Sequence, residues 1–146
     1  MGERLAALEI IAGLLLLLIG FGFHFLGQGL SLLNWELAQR LGLQERNMPR
    51  EYQDYERGMA AADVALGWSY GLIGVGLVTG AAWAAKAASI PGAILTYHSL
   101  CFWFWSQRQR RAGYQGMSDA LRRAWTLANL GTGVLLVATA LFAWAA

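Results

Sequence analysis

A chain of 146 residues, 57% hydrophobic, with mean hydropathy +0.41 and a net charge of +2, has room for a few apolar helices and no large soluble domain beside them. One cysteine, Cys101, excludes an internal disulfide and a cysteine-only metal centre. Its ten arginines and single lysine sit around apolar runs, which membrane topology explains without any nucleic-acid partner.

Four apolar segments run approximately over residues 10–33, 58–83, 91–106 and 124–144. A helix rises ~1.5 Å per residue, so ~20 apolar residues cross the ~30 Å hydrocarbon layer. The first, second and fourth segments reach that length; the third needs its tryptophan and arginine flanks to do so. The pattern predicts an all-α integral membrane four-helix bundle, a single transmembrane domain over residues 1–146. The residues before the first run lack the features of a cleavable signal, so the first helix is expected to stay in the mature protein.

The first and third connecting loops carry nine arginines (40, 46, 50, 57, 108, 110, 111, 122 and 123), against Arg4 and Lys86 on the opposite side. Cytoplasmic loops retain Lys and Arg, so both termini are placed outside, N-out/C-out. Trp35, Trp103, Trp105 and Trp125 fall at the expected inner boundary, and Trp83 and Trp144 at the outer one, where amphipathic rings settle. Arginine bias with abundant Ala, Gly and Trp points to a GC-rich bacterial gene and hence an inner membrane.

Leu30, Leu33, Leu37 and Leu41 recur at helical spacing, predicting an amphipathic cytoplasmic loop between helices 1 and 2. Arg46-Asn47-Met48-Pro49 should break it, because proline disfavours helix in the residue before it. Ser89 and Pro91 read as a cap and a first-turn proline after a tight outer hairpin. Arg111-Ala112-Gly113 should end the third helix, and Ser118-Asp119 should start the approach to the fourth. Arg57 precedes Asp63, and Arg123 precedes Asn129, by six positions; Gly67 and Gly133 follow by four, and each half holds one histidine in its leading helix. A duplication about the membrane normal would produce this, but so few matches in so biased a composition do not establish one.

Gly67, Gly71, Gly76 and Gly80 form small-xxx-small pairs that let helices approach closely. Asp63 is the one acidic residue well inside a span, where charge is expensive and marks function or an ion pair; Arg57 and Arg123 are the arginines nearest in depth. His24 and His98 fall at similar depth, as a bis-histidine haem would require. Tyr70 lies on the Asp63 face, and Asn129, Thr126, Thr132 and Tyr97 add polar groups nearby. A ligand-binding cluster of His24, Asp63, Tyr70, Tyr97, His98 and Asn129 is therefore expected. Trp103, Trp105, Arg108, Arg110 and Arg111 read as a lipid anchor. Glu-x-x-His pairs, phosphate loops, zinc spacings and nucleophile elbows are absent from the sequence, which names no catalytic residue and no metal site.

These features predict a non-enzymatic accessory subunit or small-ligand-binding bundle acting in an oligomer or larger membrane complex. Two alternatives remain: a haem electron-transfer protein using His24 and His98, and a small transporter or proton-coupled protein using Asp63.

Overall fold

The computed structural model describes residues 2–46, 48–114 and 116–145, with side chains from residue 6 onward. The expectations for the Arg4 side chain and for Asn47 lie outside the described residues. Among the described residues all regular structure is helical. Helix α1 (Gly2–Leu15) continues through a π-helical stretch, π1 (Leu16–Gly27), into α2 (Gln28–Leu33). Then come α3 (Trp35–Arg40), α4 (Arg50–Val78), α5 (Ala82–Ala87), α6 (Ser89–Arg111) and α7 (Asp119–Ala145). Among the described residues three helices are long and apolar enough to cross a membrane: Ala6–Leu33, Arg50–Val78 and Asp119–Ala145. Helix α6 has the length, with 23 residues, but its Ser, Thr, Tyr, His, Gln and Arg content dilutes its apolar face.

Local chemistry sets the boundaries. Asn34 leaves helical geometry at φ −152°, ψ 88°, and its side-chain oxygen accepts from the Leu37 amide at 2.9 Å, capping α3. The leucine periodicity across that point is thus two helices, and the face it marks is exposed. Leu33, Leu37 and Leu41 are exposed, while Ser31 and Ala38 face inward. The loop is pinned instead by Gln44, whose amide donates to Gln28 Oε1 at 2.8 Å and Ser31 Oγ at 3.1 Å. Replacing the exposed Asn34 cap with alanine should cost about 1 kcal/mol locally, read as faster hydrogen exchange at the Leu37 amide.

Pro49, extended at ψ 156°, precedes α4 as expected. The second apolar segment does not run to Trp83. It stops at Val78 because Gly80 turns left-handed (φ 72°), letting the Ala81 amide reach the Gly76 carbonyl at 2.8 Å. The hairpin between the second and third apolar segments therefore contains the extra helix α5. Ser89 is not an N-cap: it lies inside the first turn of α6, and its hydroxyl donates back to the Lys86 carbonyl at 3.1 Å. Gly113 (φ 90°) ends α6 as the sequence indicated. Ser118 starts α7, its hydroxyl accepting from the Leu121 amide at 3.2 Å.

The helices run antiparallel. The Met117 amide donates to Glu45 at 2.9 Å, joining the loops at the arginine-rich end. At the other end Lys86 lies 4.9 Å above the Trp144 ring. A Cβ on Gly13 would strike Gly74 and Leu77, and one on Gly76 would strike Ala84, so glycine permits these crossings. The partition of side chains is inside-out. Large apolar residues such as Leu18, Leu72, Phe104, Leu127 and Leu141 are exposed, whereas His24, Asp63, Ser99, Asn129, Thr132 and Thr139 are buried. Around the polar middle, Leu16, Tyr70, Leu77, Leu95 and Leu136 form the apolar core.

Candidate functional site

His24 reaches the interior from π1. Wider i→i+5 turns are rare outside single-turn bulges and tend to occur at functional sites, and each residue there advances less around the axis than in an α-helix. The Leu-Ile-Gly-Phe-Gly-Phe-His-Phe run combines flexible glycines with aromatic residues that stack, the Phe21 and Phe25 rings lying 5.2 Å apart. Helix α4 receives that stack on glycine. A Cβ on Gly71 would come within 2.7 Å of the Phe21 ring, and one on Gly67 within 2.8 Å of Phe25. Side chains there are absent so that π1 and α4 touch, and this contact sets His24 against Asp63, beside the midpoint of α4.

Both nitrogens of His24 are engaged. Nδ1 lies 2.9 Å from Asp63 Oδ2, and Nε2 lies 2.6 Å from Asn129 Oδ1. Asn129 is oriented by its own helix, its amide nitrogen donating to the Trp125 carbonyl at 2.9 Å, so its oxygen faces the histidine and accepts. His98 completes the group. Its Nδ1 is 3.8 Å from Asp63 Oδ1, and its ring meets that of His24 edge to face at a centroid distance of 4.6 Å. Trp125 stacks on His24 at a centroid distance of 5.7 Å. His24, Asp63 and Asn129 are 1%, 4% and 1% exposed, so water does not compete for these bonds.

The structure thus brings His24, Asp63, His98 and Asn129 together and leaves other expected members out. Tyr97 is 69% exposed and faces away. Thr126 and Thr132 are buried, but their hydroxyls donate to carbonyls of their own helix, Arg122 and Ala128. Tyr70 is fully buried two turns beyond Asp63, and its hydroxyl has no partner, which leaves an unmet demand for a hydrogen bond. Asp63 pairs with histidine and with neither arginine, because Arg57 lies over the Trp35 ring at 4.9 Å and Arg123 is exposed. Sequence reasoning missed Trp125 as a wall of the site; its four-residue spacing from Asn129 was the available signal.

The anchor residues also divide. Trp105 packs between Tyr52 and Tyr55, at 6.3 and 4.8 Å, with its indole nitrogen buried, so it belongs to the α4–α6 contact and not to an outward-facing anchor. Trp103, Arg108, Arg110 and Arg111 line a groove between α6 and α7.

A haem needs its macrocycle between the two axial imidazoles. The His24 and His98 rings touch, and His24 spends both nitrogens on side chains, so this arrangement has no gap for a porphyrin. A bare metal ion asks for less: nitrogens of both histidines and an Asp63 oxygen lie within 4.8 Å of one another. No family model, curated protein or solved structure matches this chain.

Proposed function

We propose that this is a proton-coupled integral membrane protein in which His24, Asp63 and His98 hold a transferable proton at mid-depth of the bilayer. The carrying observation is the pair of contacts at His24. Nε2 faces an acceptor, Asn129 Oδ1, and therefore bears a proton. The 2.9 Å contact from Nδ1 to Asp63 Oδ2 then requires one further proton, on the ring or on the carboxyl. As imidazolium–carboxylate or imidazole–carboxylic acid, the pair holds one labile proton. His98 Nδ1, 3.8 Å from the other Asp63 oxygen, is the second station: a turn of the Asp63 carboxyl swings Oδ2–H from His24 toward His98, closes that distance and passes the proton from Oδ2 to Nδ1. The His98 side chain, 12% exposed, is the least buried of the three and leads outward.

Membrane placement rests on the three long apolar helices together with the inside-out partition. In this reading α6 is the fourth span, with Arg108, Arg110 and Arg111 at the cytoplasmic surface, both termini outside and, by composition, a bacterial inner membrane around it. The accessory-subunit reading in an oligomer drew on glycine faces. Of the paired glycines, Gly67, Gly71 and Gly76 pack against Phe25, Phe21 and Ala84 of the same chain and Gly80 lies in the turn after α4, so that reading keeps only the absence of catalytic motifs as its support.

Vesicles containing the purified chain and an internal pH dye test the proposal. Under an imposed potential they should change internal pH, and His98→Phe, which keeps an aromatic ring but no nitrogen, should fall to the rate of empty vesicles. Equal rates for wild type and His98→Phe would end it. A second reading, favoured by the 4.8 Å grouping, is a first-row divalent metal site in which Asp63 leaves His24 to become a ligand. Equilibrium dialysis against Zn²⁺ separates the two: one tightly held ion per chain, lost in His98→Phe, would favour the metal.

A further inference from the structure

We infer that the groove between α6 and α7 at the arginine-rich end is a specific site for the phosphate headgroup of an anionic phospholipid, with Arg122 at its base. The inference rests on the bilayer placement and not on the proton chemistry, and it concerns other residues. The groove encloses ≈ 1250 Å³. Five arginines line it, at 108, 110, 111, 122 and 123, against the single carboxylate of Asp119.

Arg122 distinguishes this place from a merely basic surface. It is 4% exposed, and its guanidinium lies 4.1 Å above the Trp103 ring. Nη2 meets Asp119 Oδ1 at 3.3 Å and Nη1 reaches Ser106 Oγ at 3.5 Å, but Nε is buried with no partner. Asp119 does not fully compensate it, because its other oxygen accepts from Arg110 Nη2 at 3.0 Å. A buried guanidinium with a free N–H and half a carboxylate calls for an anion with several acceptor oxygens, and phosphate fits that fork. The remaining arginines are more exposed and add charge around it.

The occupant is a lipid because the groove is amphipathic along its length. Toward the middle of the helices its walls change from arginine to Leu100, Phe104, Leu127 and Leu130. Leu100, Phe104 and Leu127 are 46%, 69% and 67% exposed, continuing the apolar surface that faces acyl chains. A headgroup at Arg122 would lay its first chain along this wall, whereas a free phosphate would leave it uncovered.

The test is native mass spectrometry of the full chain in detergent, titrated separately with phosphatidylglycerol, phosphatidylcholine and inorganic phosphate. One phosphatidylglycerol should saturate the chain, about tenfold more tightly than phosphatidylcholine, whose choline the arginines repel. Arg122→Gln should abolish that preference, and Arg122→Lys should weaken it because a lysine lacks the planar fork. Asp119→Asn releases both Arg110 and Arg122 from their carboxylate and should tighten binding several-fold, which keeps the proposal testable if Arg122→Gln does not fold. Equal affinity for both lipids would overturn the site. So would wild-type binding in Arg122→Gln, or unchanged binding in Asp119→Asn. Inorganic phosphate saturating the chain at the lipid's concentration would overturn the lipid assignment.

Discussion

Asp63→Asn is expected to abolish proton movement and to lower stability by about 1–3 kcal/mol, the cost of leaving a buried partner poorly satisfied. The amide keeps the size of the side chain but offers no site for a proton. His24 Nδ1, held 2.9 Å from that position, either keeps its proton without a counter-charge or sheds it and accepts from the new amide. The second outcome limits the damage below the ~3–5 kcal/mol that removing one partner of a permanently charged buried pair costs. The loss should be strongly non-additive with His24→Phe, because each substitution removes the same interaction. Unfolding of the two single variants and the double variant in mixed micelles measures it. Additive losses would show that Asp63 and His24 contribute independently, and the shared-proton pair would have to be abandoned.

Gly133→Ala carries the second large effect, about 1–3 kcal/mol and toward the upper end. A Cβ there would lie 2.5 Å from Thr96 Oγ1, 2.8 Å from the Thr96 nitrogen and 2.9 Å from the Gly92 carbonyl oxygen. Two of those neighbours are backbone and cannot rotate away, so α6 and α7 must separate. His98 follows Thr96 by two residues and moves with it, so proton movement should fall as well. Gly131→Ala is the internal control. Its Cβ would meet nothing within 4 Å, and it should be neutral or slightly stabilising through better helix propensity. Equal losses in both variants would mean that backbone propensity, and not the α6–α7 contact, sets the cost.

Three of the four apolar segments, the proline and glycine stops at Pro49 and Gly113, and the shared level of His24, Asp63, His98 and Asn129 along the helices were legible, because they depend on local chemistry and on counting residues along a helix. The partners were not. Assigning Asp63 to an arginine followed from proximity in depth, but a π-helical stretch rotates residues in a way that 3.6-residue periodicity does not register, and it carried His24 inward first. Tyr97 failed for the related reason that depth is not direction: it sits one residue from His98 and so points elsewhere. The spacing echo between the halves did not foretell the partners either, since a two-fold repeat would give Asn129 to His98. Its paired positions, Asp63 and Asn129, are the two side chains that hold the opposite nitrogens of His24.

The bonds of His24 also impose an order on the chain's birth. Asp63 follows it by 39 residues and Asn129 by 105. In the proposed bilayer placement, once the ribosome has delivered only the first two long helices, the imidazole can already neutralise itself against the carboxyl, and the hairpin would enter lipid without a lone charge. The Asn129 bond must wait for the last helix. Until then one ring nitrogen is unmet in that placement, which favours docking of α7 beside π1.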